Sequence, residues 1–91
     1  MRILHLTLKK KWFDMIASGE KREEYRELKP YWHKRLTKKY DVIQFRNGYR
    51  KDSPKITVEL KEVCKSLGIV EWGAPEAHPV YILRLGKILA A

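Results

Sequence analysis

The chain contains a single cysteine, Cys64, among 91 residues. An internal disulfide is therefore excluded, and so is a thiolate metal cluster. His5, His33 and His78 are not spaced as metal ligands, so neither a metal nor an organic cofactor is expected. Long apolar runs are missing too. The longest, around Val80–Leu83, is about four residues against the ~18 of a membrane-spanning helix, so no membrane partner is expected. The N-terminal residues make a poor signal peptide, because Lys9–Lys11 and Asp14 interrupt the stretch that would have to stay apolar. A cytoplasmic location is the expectation. Nucleophile–His–Asp arrangements, P-loops and Gly-rich dinucleotide fingerprints are absent, as are internal repeats, linkers and low-complexity tracts. The last shortage is of acid. Eleven Asp and Glu face twenty Lys and Arg, a net charge of +9.

That charge favours a polyanionic partner, and nucleic acid is the usual one. The alternative is basicity for solubility alone. With 44% apolar and 34% charged residues the composition suits a globular domain, and the length suits one core. A chain this short buries roughly 60–65% of its unfolded surface, so its stability is modest.

Residues Ile3–Leu8 alternate, with Leu4, Leu6 and Leu8 on one face and Thr7 on the other, which predicts a strand buried on one side. After Lys9–Lys11, the spacing of Trp12, Met15 and Ile16 predicts a short amphipathic helix over Trp12–Ala17, its stripe facing the core. Ser18-Gly19 ends it, with Gly19 suited to the left-handed position after a helix. Glu20–Glu27 admits two readings: a continued helix with charged i,i+4 pairs, or a strand begun after the glycine. Pro30 opens a second short helix, with Trp32 and Leu36 as its apolar pair. Asp41–Arg46 reads as a strand, Asn47-Gly48 as a turn into a polar loop to Pro54, and Lys55–Cys64 as a strand with Ile56, Val58 and Leu60 inward. Ser66–Pro79 is punctuated by glycine and proline. A final strand covers Val80–Leu85, and Gly86–Ala91 extends it after a bend. The expectation is a mainly β, α+β domain: a small mixed barrel of about five to six strands with two short helices on its rim.

Chemistry concentrates in Gly19-Glu20-Lys21-Arg22-Glu23-Glu24-Tyr25-Arg26. A like charge beside Lys21 lowers its pKa and suits it to act as base or nucleophile, Glu24 can shuttle a proton, and Arg26 can hold a phosphate or oxyanion. The competing reading is a mutual salt bridge pinning the turn, and on residue types alone it is the commoner one. Lys9, Lys10 and Lys11 beside Trp12 are either a solvated face or phosphate contacts. Arg46-Asn47-Gly48-Tyr49-Arg50-Lys51 interleaves cations with an aromatic ring, as a base-stacking loop does, but also reads as a plain hairpin turn. Trp72, between glycines, is a stacking surface or a lid over the core, and the core reading is favoured.

Leu6-Thr7-Leu8, Trp12 and the spacing of Gly19, Lys21, Glu24 and Arg26 together resemble the ASCH domain (activating signal cointegrator-1 homology), of the small single-domain type found in bacteria and phages. The family signature is G-x-K-x-x-E-x-R, and all four positions match. The resemblance covers about residues 6–26. It implies a PUA-like β-barrel, a charged cleft beside the signature, and RNA or a modified nucleoside as partner. On that reading Thr7, Lys9, Lys10, Lys11, Trp12, Arg26, Arg46, Asn47 and Tyr49 are the candidate binding residues. Some relatives hydrolyse N4-acetylcytidine and others cleave RNA, which would make Lys21 and Glu24 catalytic. The amidohydrolase relatives carry a threonine where this chain has Glu24, together with a later glutamate for which Glu71 and Glu76 are the only candidates here.

Overall fold

A computed structural model describes all residues, 1–91. The elements run β1 (Ile3–Thr7), α1 (Lys10–Ala17), β2 (Glu23–Arg26), α2 (Pro30–Leu36), β3 (Val42–Arg46), β4 (Lys55–Leu67), a 3₁₀ turn (Val70–Trp72) and β5 (Pro79–Ala90). The five strands form one mixed sheet in the order β1-β3-β4-β5-β2, curled into a half-barrel. β1 pairs parallel with β3, and the other pairings are antiparallel. The expected small α+β barrel-like fold is therefore present, with five strands and two helices.

The alternating positions form the core. Leu4, Leu6 and Leu8 meet Ile43 and Phe45, then Ile56, Val58 and Leu60, and finally Leu83 and Leu85. Phe13 and Ile16 of α1 join them, with Trp12, Trp32, Leu36 and Tyr40 packed around the margin. Both helices thus bury their apolar stripes against the same inner face. A second, smaller cluster lies on the other face of β2, β5 and β4. Tyr25, Val80 and Ile82 meet Ala74 there, with Cys64 and Trp72 alongside. Cys64 is half-buried, packed beside that cluster.

Several boundaries differ from the sequence reading. α1 begins at Lys10, so Lys10 and Lys11 lie in its first turn rather than ahead of it. Lysine is a good helix former, and Lys10 makes an exposed i,i+4 ion pair with Asp14. β4 continues three residues past Cys64, and β5 starts one residue early, because Ser66 pairs with Val80 and Leu67 with Pro79. Strand pairing, not side-chain pattern, carries the ladder there. β5 runs through Gly86 to Ala90, and the bend is absorbed by register shifts between Thr57 and Glu62.

α2 crosses between the two edge strands. From it Arg35 Nη2 donates to the His5 carbonyl on β1 at 3.4 Å, and the His33 ring bonds the Tyr81 hydroxyl on β5. Arg26 of β2 lies over the Trp32 ring, 5.2 Å from its centroid.

Candidate functional site

The site begins where α1 stops. Ser18 caps the helix, and Gly19 follows at φ +86°, a left-handed conformation that favours glycine. The Lys21 amide then bonds back to the Met15 carbonyl at 2.9 Å, which turns the chain and hangs Lys21 against the end of α1. β2 starts two residues later, so the strand reading of this segment holds. Glu24 stands opposite Leu83 and Arg26 opposite Tyr81, which puts both on the inner face of the sheet. Lys21 sits at the turn and reaches back.

The three side chains form a chain of charge. Lys21 Nζ lies 3.1 Å from Glu24 Oε1, and Arg26 Nη1 bonds the other carboxylate oxygen. Arg26 Nη1 also donates to the Tyr25 carbonyl at 2.7 Å. Lys21 Nζ donates to the Trp72 carbonyl as well, and it lies 5.0 Å from the Trp12 ring centroid and 4.8 Å from that of Tyr25. Two cations share one carboxylate, leaving a net positive charge.

This is no surface salt bridge. The Lys21 side chain is 1% exposed and that of Glu24 6%, while Arg26 is 18% exposed and forms the part of the triad that meets solvent. Burial holds the Lys21 pKa below its ordinary value of 10.5, outweighing the attraction of Glu24, and the Arg26 charge pushes the same way. Burial also raises the Tyr25 hydroxyl above its ordinary 10.0. Tyr25 accepts from the Ile69 amide at 3.0 Å and donates to Glu23 Oε1 at 2.8 Å.

These shifts predict an alkaline signature. Folded Tyr25 keeps its proton where the unfolded chain has lost it, so its contribution to stability falls as pH rises beyond 10.0. Folded Lys21 binds its proton less tightly than the unfolded chain does, so its contribution rises with pH on the approach to 10.5. Urea midpoints followed into alkaline pH should lose the fall in Tyr25→Phe and lose the rise in Lys21→Met. Parallel profiles for wild type and both variants would refute the assignment.

The other candidate residues divide into two groups. Lys9, Lys10 and Lys11 are exposed, and Lys11 Nζ stands 4.7 Å from the Trp12 ring, which links this basic patch to Lys21 through one indole. Thr7 is half-buried at the end of β1, opposite Arg46 of β3. Arg46 Nη2 bonds the Arg50 carbonyl, and its Nε is buried without a partner. Asn47 is half-buried, and Tyr49 is 89% exposed at the loop tip. No hydrogen bond, ion pair or ring contact joins Arg46, Asn47 or Tyr49 to the triad.

Trp72 packs in the second cluster, in keeping with its core reading, and its carbonyl also serves as the Lys21 acceptor. Glu71 and Glu76 are exposed and make no ion pair with Lys21, whose one carboxylate partner is Glu24. Residues beside the triad that sequence reasoning passed over are Tyr25 and Trp32. Only Tyr25 carried a signal, by lying between Glu24 and Arg26. Trp32 reaches Arg26 through the placement of α2. No three His, Cys, Asp or Glu side chains converge as a metal site, and no helix is long and apolar enough to cross a membrane. Comparison with known protein families, with curated proteins and with solved structures returns no match to this chain.

Proposed function

We propose that this chain binds RNA or a modified nucleoside at the surface around Arg26, as its resemblance to the ASCH domain implies. The observation that carries this reading is how Arg26 is held. Its protein hydrogen bonds are all made by Nη1, to Glu24 and to the Tyr25 carbonyl, and Trp32 backs the guanidinium plane. The Nε and Nη2 hydrogens are left as a pre-oriented fork, the geometry that suits a phosphate or carboxylate. The net positive charge of the triad and the net +9 of the chain draw an anion to the same place. Lys9–Lys11 beside Trp12 supply further phosphate contacts, linked to the triad through that indole.

A short single-stranded RNA titrated at several salt concentrations tests this. Binding should weaken steeply between about 50 and 200 mM salt. Arg26→Lys, which keeps the charge and loses the fork, should weaken binding about tenfold, while Arg26→Ala should also lower the salt slope by about one unit. Absent or salt-insensitive binding would remove the reading.

One observation favours a hydrolase instead: the lowered pKa of Lys21 suits a base or nucleophile, with Glu24 as proton shuttle. It requires Nζ to leave both the Trp72 carbonyl and Glu24. Incubation with N4-acetylcytidine and with single-stranded RNA, beside a Lys21→Ala control, decides it. No product from either substrate rules out hydrolysis of both.

A further inference from the structure

We infer that Arg26, Tyr81 and Lys65, with His33 above them, form a subsite for the phosphate monoester of a nucleotide. The inference rests on the nucleotide-binding reading above and names the group that its anion site selects. In the sheet register Arg26 of β2 pairs with Tyr81 of β5, and Tyr81 pairs with Lys65 of β4. Directly opposed residues share a face, so the three side chains form a row, cation–phenol–cation, one step along from Glu24 and Leu83. Neighbouring strands lie about 4.8 Å apart, which starts the two cations about 10 Å from each other. Each side chain is long enough to reach an anion seated midway. Lys65 Nζ already leans over the Tyr81 ring, 5.4 Å from its centroid.

Charge decides the ligand class. Lys65 is exposed and makes no ion pair, and Arg26 has its outer edge free. The one carboxylate beside the row, Glu24, is already engaged by Lys21 and Arg26. Two cations flanking Tyr81 in one row match the two negative charges of a phosphate monoester better than the single charge of a diester. By contrast, the groove of about 630 Å³ along Arg22, Lys61 and Lys87 carries Glu59 in its wall, which opposes an anion.

His33 and Tyr81 add a neutral donor. If the Tyr81 hydroxyl donates to His33 Nδ1, the imidazole presents its other N–H; if Nδ1 donates, the phenol proton is free. Either arrangement leaves one hydrogen for a phosphate oxygen. The same α2 supplies Trp32, whose ring lies against Arg26.

Calorimetric titration of uridine against uridine 5′-monophosphate, and of a short RNA bearing a 5′-hydroxyl against the same RNA with a 5′-phosphate, tests the subsite. The phosphate should tighten binding about tenfold or more. A gain with the mononucleotide alone identifies free nucleotides as the source, and a gain with the oligonucleotide identifies RNA ends. In Lys65→Gln, a change at an exposed position, ligands with and without the terminal phosphate should bind alike. If 5′-hydroxyl RNA binds and depends on Arg26 while the phosphate adds nothing, the subsite is wrong and the RNA reading stands. If no ligand binds, both fail.

Discussion

Glu24→Ala should cost about 3–5 kcal/mol of folding stability, the penalty for leaving buried charge uncompensated. Glu24 is the only anion between Lys21 and Arg26, and both it and Lys21 are out of solvent. Without it two cations remain side by side in a site whose other polar partners are backbone carbonyls. For a domain of this size each kcal/mol lowers the melting temperature by about 4–8 °C, so a fall on the order of 20 °C is expected. Lys21→Met gives the internal comparison. It leaves the Glu24–Arg26 pair intact, removes one desolvated charge and sets a thioether between the Trp12 and Tyr25 rings. Its cost should be nearer 1 kcal/mol, an ordinary value for a point substitution. Urea unfolding of the two variants measures the difference. Equal costs, or the reverse order, would mean that the triad is not held together by its central carboxylate.

Gly68→Ala is expected to be the second severe change. A methyl group there would stand 2.5 Å from Tyr25 Cε1 and 2.7 Å from the Ala74 Cβ, with no flexible side-chain end to move aside. Tyr25 cannot give way freely, because its hydroxyl is held by the Ile69 amide and Glu23 and its ring walls in Lys21. Overpacking of this kind costs about 1–3 kcal/mol, and the rigid surroundings put this case at the upper end. Gly86→Ala makes a sharper nominal clash, with Glu59 Oε1, yet that carboxylate ends an exposed side chain held only by a long 3.4 Å bond from the Lys87 amide and can swing away. The first variant should therefore be less stable than the second by about 2 kcal/mol in parallel urea titrations. A shifted Tyr25 ring signal in Gly68→Ala would tie the loss to the triad. Equal stabilities would show that the Tyr25 ring yields.

What was readable in the chain, and what was not, follows from the range of the forces involved. Leu4, Leu6 and Leu8, and Ile56, Val58 and Leu60, announce their strands because alternation is a local record of one buried face. Gly19 marks the end of α1 for a local reason as well, its positive φ. The far end of β4 left no such trace. Lys65, Ser66 and Leu67 are all exposed, and they belong to a strand only because β5 lies beside them. The depth of Lys21 was equally hidden. Lysine is usually a surface residue, and the groups that enclose this one come from Trp12, Tyr25 and a carbonyl on the 3₁₀ turn. The signature spacing identified which residues meet. It carried no information about whether they meet in water or in the interior.

The pairing of β2 with β5 also sets the order in which the molecule can assemble. Trp72, whose carbonyl receives the Lys21 ammonium, lies 51 residues further along the chain, and β5 comes later still. During synthesis the G-x-K-x-x-E-x-R segment is therefore made long before anything exists to exclude water from it. Until then its charges stay hydrated and carry no desolvation cost. Desolvation of Lys21 and Glu24 is deferred to the docking of β5, a non-local event of the kind that slows folding. Truncation before Pro79 should accordingly leave a chain in which Lys21 titrates as a solvated lysine.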